Sequence, residues 1–382
     1  MGGGGSPCLL PEQSPICRPV LFASLFAFRQ QASSWRLLEA KSEWRMANVM
    51  SKTALVAVGG NSLIRAGEKG TVAEQLANTR RTAEAIVGLV RLGYRLVVTH
   101  GNGPQVGAQL LRSERASDVV YGQTLDVCGA ASQGEIGYLL AQSLQNELAA
   151  AGLDVSVVSL ITQTLVSPDD PAMQYPSKPI GPFYSRADAE GKKRLLGWQI
   201  VEDAARGYRR VVPSPEPVEI LELDVIRALV NRGVLVVSTG GGGIPVMRVQ
   251  GRLRGVEAVI DKDRASALLA AQLGMDLFAI TTDTEYVYLN YKKPGQIPLT
   301  HVTASQLEEY RRAGQFPPGN MGPKVESVLR FLHCGGNEAV ITSHERLCEA
   351  VTGWAGTHVV PDAEPPHKTN HLQEELEAPV TR

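Results

Sequence analysis

Leu96-Val-Val-Thr-His-Gly-Asn-Gly-Pro-Gln-Val-Gly107 decides the fold. It runs from a short β-branched strand straight into a glycine-rich loop, and two other stretches repeat the form. Ala54–Val58 leads into Gly59-Gly60-Asn61, and Val234–Ser238 leads into Gly240-Gly-Gly-Gly243. Further strand-like runs at Val155–Ile161, Leu277–Thr281 and Glu338–Thr342 alternate with amphipathic stretches of helical period, such as Leu76, Ala83, Ile86, Val87 and Val90 before Gly93. Ile136 to Leu148 stops likewise at Gly152, Ile226 to Val230 stops at Gly233, and Thr303-Ala-Ser-Gln306 has the form of a capping box. Strand and helix in alternation predict an α/β fold, a parallel sheet with helices on both faces. In such a sheet the three glycine loops share the carboxyl edge, where backbone N–H groups can approach an anion without a Cβ in the way.

The spacing excludes two familiar phosphate signatures. Gly101-x-Gly103-x-x-x-Gly107 has one residue too many for the dinucleotide fingerprint, and no P-loop occurs in the chain. One glycine loop after a strand is more often a turn than a site. Three on one edge favour phosphate.

Composition narrows the partners. The 382 residues, 43% apolar and 20% charged, fit about two average domains or one large one, and 5% aromatic content is too little for a stacking-based nucleic-acid binder. Lys and Arg at 38 against Asp and Glu at 39 leave a net charge of −1, so neither nucleic acid nor an anionic membrane is drawn by a global field. No run of 18 apolar residues exists. Five cysteines without a disulfide or zinc pattern point to a reducing compartment, the cytoplasm in the first instance; Cys128, Cys334 and Cys348 are expected as buried small apolar groups.

Three segments stand apart. Residues 1–49 form an extension before the catalytic unit of 50–361; with Arg18, Arg29 and Arg36 and few acids it reads either as a transit peptide to an organelle matrix or as a start placed upstream of Met46 or Met50. Residues 362–382 read as a solvated, disordered tail. Residues 165–197, with Pro168, Pro171, Pro176, Pro179 and Pro182, break the rhythm and read as an insertion, inert or functional.

Phosphoryl transfer needs cations held against the transferring group, and three lysines stand in suggestive places. Lys262 and Asp263 precede an amphipathic helix over Ala265–Leu273, Lys324 follows Pro323 in the first turn of a helix ending near His333, and Lys178 lies in the insertion. A lysine at a helix start opposes the dipole unless something anionic compensates. Asp261 and Asp263 could serve simply as N-caps, or a carboxylate here could hold two ammonium groups in register. His100 is isolated from other metal-binding types and reads as a structural or supporting residue.

Seven motifs taken in order resemble carbamate kinase of the amino-acid-kinase superfamily: Val56-Ala-Val-Gly-Gly-Asn61, Thr99-His-Gly-Asn-Gly-Pro-Gln-Val-Gly107, Lys178-Pro-Ile-Gly-Pro-Phe183, Val211-Val-Pro-Ser-Pro215, Gly240-Gly-Gly-Gly-Ile-Pro245, Gly255-Val-Glu-Ala-Val-Ile-Asp-Lys-Asp263 and Pro318-Gly-Asn-Met-Gly-Pro-Lys324. The resemblance spans Thr53 to Val360. It implies a three-layer αβα sandwich with about eight mainly parallel strands, a protruding inserted subdomain, with 165–197 as a lid that excludes water, and a homodimer. It also implies reversible phosphoryl transfer between ATP and carbamate, giving ADP and carbamoyl phosphate, with Mg²⁺ carried by the nucleotide and flux toward ATP in arginine breakdown. By the same resemblance Lys178, Lys262, Asp263 and Lys324 are catalytic, and Gly59, Gly60, Asn61, Gly101, Asn102, Gly103, Gly240, Gly241 and Gly242 bind the phosphate-bearing substrate. Asp283, Tyr286, Met321 and Lys324 would bind nucleotide, although Thr281-Thr-Asp-Thr-Glu-Tyr286 departs from the family's usual glycine and Val-Asp-Tyr pattern. Other acid kinases of the superfamily lack Lys178-Pro-Ile-Gly-Pro182, and a non-catalytic sensor would have no need of all four charged residues.

Overall fold

A computed structural model describes residue 1 and residues 52–60, 63–65, 67–202, 207–317 and 320–362. The extension after Met1, the tail after 362, Asn61, Pro318 and Gly319 lie outside the described residues. The elements below all lie within Lys52–Asp362.

Its main sheet has eight strands: β1 (Thr53–Val58), β2 (Arg95–His100), β3 (Val157–Ser159), β4 (Leu235–Val237), β5 (Leu277–Thr282), β6 (His301–Thr303), β7 (Glu338–Ser343) and β8 (Thr357–Val360). They lie in the order β6-β8-β7-β5-β1-β2-β4-β3, and only the β7–β8 junction is antiparallel. The strands read as nearly continuous apolar runs because both faces are covered. Alternate residues feed two cores. Leu55, Ala57, Val97, Val236, Phe278 and Ile280 face one way, while Ala54, Val56, Leu96, Val98, Val237 and Ala279 face the other.

Nine helices of at least five residues are described: α1 (Val72–Arg91), α2 (Gly103–Arg115), α3 (Leu125–Ala150), α4 (Arg186–Leu196), α5 (Leu223–Asn231), α6 (Lys262–Leu273), α7 (Ala304–Arg312), α8 (Met321–His333) and α9 (Leu347–Val351). Residues of α5 to α8 join the first core and those of α1, α3 and α9 the second, which makes the expected αβα sandwich. Thr303 does form a capping box with Gln306. The helix carrying Lys262 starts earlier than its apolar period suggests, at Lys262 itself, because Asp261 caps it. Cys128 is buried as expected, but Cys334 is exposed: it follows the last turn of α8, where the apolar period has run out.

Between β3 and β4 the chain leaves the main sheet. Strands Lys178–Tyr184, Tyr208–Val212 and Ile200–Glu202 make a small antiparallel sheet that continues past residue 197, with α4 beside it. Lys192-Lys-Arg194 falls in the last turns of α4, where positive charge suits the helix dipole. Helix α2 packs against this sheet through Val106, Leu110 and Ile180, and Gly107 lies so near Gly181 that a Cβ there would sit 3.4 Å from its Cα.

Candidate active site

Strands β1, β2 and β4 are neighbours and parallel, so their following loops emerge side by side. Gly60, Gly101 and Gly241 line one cleft of about 260 Å³ together with Asn102, Gly103, Lys178, Arg209, Asp261, Lys262, Asp263, Asn320 and Lys324. The close approach of the loops explains the glycines best at two positions. A Cβ on Gly101 would stand 3.1 Å from the Gly60 nitrogen, and Gly241 has φ of +66° with the Asn102 side chain against it. Thr239, just before, is also left-handed, with φ of 51°, and its N–H donates to Thr162 Oγ1 at 3.0 Å. Gly240 and Gly242 do not line the cleft; their carbonyls accept from Gln133 Nε2 and Thr164 Oγ1, at 2.9 Å each, so they fix the turn that presents Gly241. Gly59 likewise sits behind, donating to Thr281 Oγ1 at 3.3 Å.

The N-terminal turns of α2, α6 and α8 open on the same cleft. Neither Asn102 nor Asn320 caps its helix with its side chain; in α2 this leaves first-turn N–H groups to another acceptor, whereas in α8 the Gly322 N–H donates to the Pro317 carbonyl at 3.0 Å and Pro323 has none to offer. Asn102 instead donates to Ser132 Oγ at 2.8 Å.

Charge is concentrated on Asp263. Lys262 Nζ lies 2.8 Å from its Oδ1 and Lys324 Nζ donates to its Oδ2 at 2.9 Å. All three side chains are largely buried. Burial pushes the Asp263 carboxyl upward, but the two lysines pull further the other way and hold it well below the usual carboxylate range. Burial dominates at Lys262, aided by the charge of Lys324, and lowers its pKa despite Asp263; at Lys324, burial is outweighed by Asp263 with help from Asp261 and Asp283, and the pKa rises. Two lysines on one carboxylate leave a net positive charge facing the cleft. Arg264 ties this arrangement together: it bonds Glu216 and, at 2.9 Å, Glu326 of α8, while Arg330 reaches Glu216 at 2.7 Å. Helices α6 and α8 are thereby set so that Lys262 and Lys324 meet on one residue. Lys178, from the small sheet, donates to Asp261 Oδ2 at 2.8 Å.

The four charged residues singled out in the sequence thus converge. Asp283, Tyr286 and Met321 do not line this cleft: Asp283 acts on Lys324 through its charge, Tyr286 packs edge-on to Tyr288 at 6.2 Å, and Met321 packs on the core below α8. Sequence reasoning missed Arg209 and the ion pair of Asp261. Arg209 sits two residues before Val211-Val-Pro, and only the pairing of Tyr208–Val212 with Lys178–Tyr184 reveals which arginine the small sheet brings to the cleft.

His100 is 2% exposed and its Nδ1 faces the Gly101 carbonyl at 3.0 Å, so Nδ1 carries the hydrogen of a neutral ring. Burial lowers its pKa from 6.5 to about 4. A group depressed in the folded state lends stability fully above its unfolded value and loses it as pH falls toward the folded one. Stability should therefore decline between pH 6.5 and about 4 by up to roughly 1.4 kcal/mol per pH unit from this ring. His100→Gln should flatten the slope of Tm against pH in that window; an unchanged slope would remove His100 as its cause.

A doubly covered parallel sheet, glycine loops at its carboxyl edge and a cluster of cations on one carboxylate define a phosphoryl-transfer enzyme. Comparison with known proteins gives the same class and narrows it. The amino acid kinase family matches residues 52–343. The carbamate kinase of Thermococcus kodakarensis is 48% identical over 313 residues, covering 81% of this chain and 99% of that protein, and the one from Trichomonas vaginalis is 45% identical over 311 residues, covering 81% and 99%. The structure of carbamate kinase from Giardia lamblia bound to AMP-PNP superposes with a TM-score of 0.79 at 41% identity, covering 82% of this chain and 99% of that one. The chain belongs to the carbamate kinases of the amino acid kinase family and is a kinase.

Proposed function

We propose that this kinase moves a phosphoryl group between carbamoyl phosphate and ADP, in the direction of ATP during arginine breakdown, and that it works as a homodimer. The observation that carries the chemistry is Asp263 holding Lys262 and Lys324 together at the edge where Gly60, Gly101 and Gly241 open, with Lys178 across the cleft. The N–H groups of the glycine loops and of the α2 N-terminus suit the oxygens of the phosphoryl group. Lys262 and Lys178 suit the charge that spreads over it during transfer, and Lys324, on α8, suits the nucleotide phosphates. Two acceptors, the carbamate oxygen and the ADP oxygen, then compete for one group held between fixed cations. The cavity is small, as carbamate is, and the small sheet over it would limit attack by water.

Among the described residues no cluster of three or more His, Cys, Asp or Glu side chains could hold a metal ion, and both cleft aspartates are engaged by lysines. Such a donor set fits Mg²⁺ bound through nucleotide oxygens and water rather than through a protein cage. When bound, the ion would neutralise phosphate charge. Asp283 and Tyr286, near the end of β5, remain candidates for the nucleotide side.

The direct test is ATP formation from ADP and carbamoyl phosphate, run beside acetylglutamate and aspartate as alternative acceptors with ATP. Turnover with carbamoyl phosphate alone supports the reading, and turnover only with an amino acid overturns it. Lys178→Ala should lower kcat by about 10²-fold while nucleotide affinity changes little, because its ammonium meets the transferred group and not the nucleotide. An unchanged kcat would remove Lys178 from the chemistry.

A further inference from the structure

Asp261 does two things with two oxygens. Its Oδ1 accepts from the N–H groups of Asp263 at 3.0 Å and Arg264 at 3.3 Å, which caps α6. Its Oδ2 accepts from Lys178 Nζ at 2.8 Å, across 83 residues of sequence. Capping alone needs one side-chain oxygen, and Asn or Ser would supply it as well as Asp. The second oxygen, and the negative charge, are left over from that task.

They fall where a mobile cation has to be fixed. Lys178 begins the strand Lys178–Tyr184 of the small sheet, and its side chain is 37% exposed while that of Asp261 is 16% exposed. A lysine stem has four rotatable carbons and would otherwise sample solvent. Lys262 follows Asp261 directly, so the carboxylate that grips Lys178 is one peptide unit from the lysine that α6 fixes on Asp263. A partly exposed ion pair of this kind is weak enough to yield to a phosphoryl group and close enough to take the lysine back.

We propose that Asp261 is a positioning residue for phosphoryl transfer: it holds the Lys178 ammonium over the cleft and registers the small sheet against the helix that carries Lys262. The proposal rests on Lys178 meeting the transferred group. Asp261→Asn keeps the cap and removes the charge, and Asp261→Ser keeps the cap and shortens the reach. Both should lower kcat by about tenfold, a loss of the size that loosened positioning gives, with the nucleotide KM within about twofold of wild type and Tm little changed. In a Lys178→Ala background the same substitutions should cost nothing more, since the pair acts as a unit. A wild-type kcat in Asp261→Asn, or an equal loss in both backgrounds, would overturn the positioning role while leaving Lys178 in the chemistry. A wild-type kcat in Lys178→Ala alone would sink the reading of Lys178 and this proposal together.

Discussion

Lys262→Ala is expected to give a folded protein with kcat lower by about 10³-fold, the upper end of what one preorganised donor contributes to a transition state. The charges around the cleft explain the size. Lys178, Arg209, Lys262 and Lys324 line the cleft against Asp261 and Asp263, an excess of two positive charges. Without Lys262 the excess is halved, and the transferred group loses the cation nearest the glycine loops. Its Nζ lies 3.5 Å from the Ala57 carbonyl at the end of β1, and its Cδ would be 3.8 Å from a Cβ on Gly101. A buried lysine whose pKa is lowered by burial is also poised for an arriving anion, which favours its charged form. Stability should change less than activity, because Asp263 keeps Lys324 as a partner and α6 keeps its cap. Steady-state assays beside a melting curve check this; a folded variant with wild-type turnover would remove Lys262 from the mechanism.

What the sequence discloses, and what it hides, follows from how far apart the partners are. The main strands were legible because burial on both faces makes them continuous apolar runs, and helix ends were legible because glycine at 93, 152 and 233 adopts positive φ where the helix must stop. The three glycine loops could be placed on one edge from parallel order alone. The ion pairs could not. Lys324 meets Asp263 across 61 residues and Lys178 meets Asp261 across 83, and no local period records a contact at that separation. Motif order supplied the four residues as a set, while their division into one carboxylate with two lysines and another with one came only from the fold. Asp261 shows the limit most clearly: its capping role is readable from its place before an amphipathic run, and its grip on Lys178 is not. Gly240 and Gly242 show it from the other side, since a glycine run marks a tight turn without saying which member faces the ligand.

Asp263→Asn tests the centre of the cluster and should have the largest combined effect. The amide has the shape of the carboxylate but no charge, so two buried ammonium groups would share one neutral oxygen and repel each other. Breaking a buried ion pair from one side typically costs about 3–5 kcal/mol, and here two cations lose the same partner. The stability loss should show as a lower Tm, and kcat should fall by at least as much as in Lys262→Ala, since both lysines lose their registration. The sign with pH is fixed by the depressed carboxyl: its contribution is complete above the ordinary value of 3.8 and is lost as pH falls toward the lower folded value. The gap in Tm between wild type and variant should therefore stay level between about pH 5 and 8 and narrow only in stronger acid. An anion offers a second reading of the same defect. Inorganic phosphate or a non-hydrolysable nucleotide should raise the Tm of Asp263→Asn more than that of wild type, because it supplies the charge the two lysines have lost. If the variant melts with wild type, or gains no more than wild type from the anion, Asp263 does not hold the lysines in place and the cluster must be organised by the packing of α6 on α8.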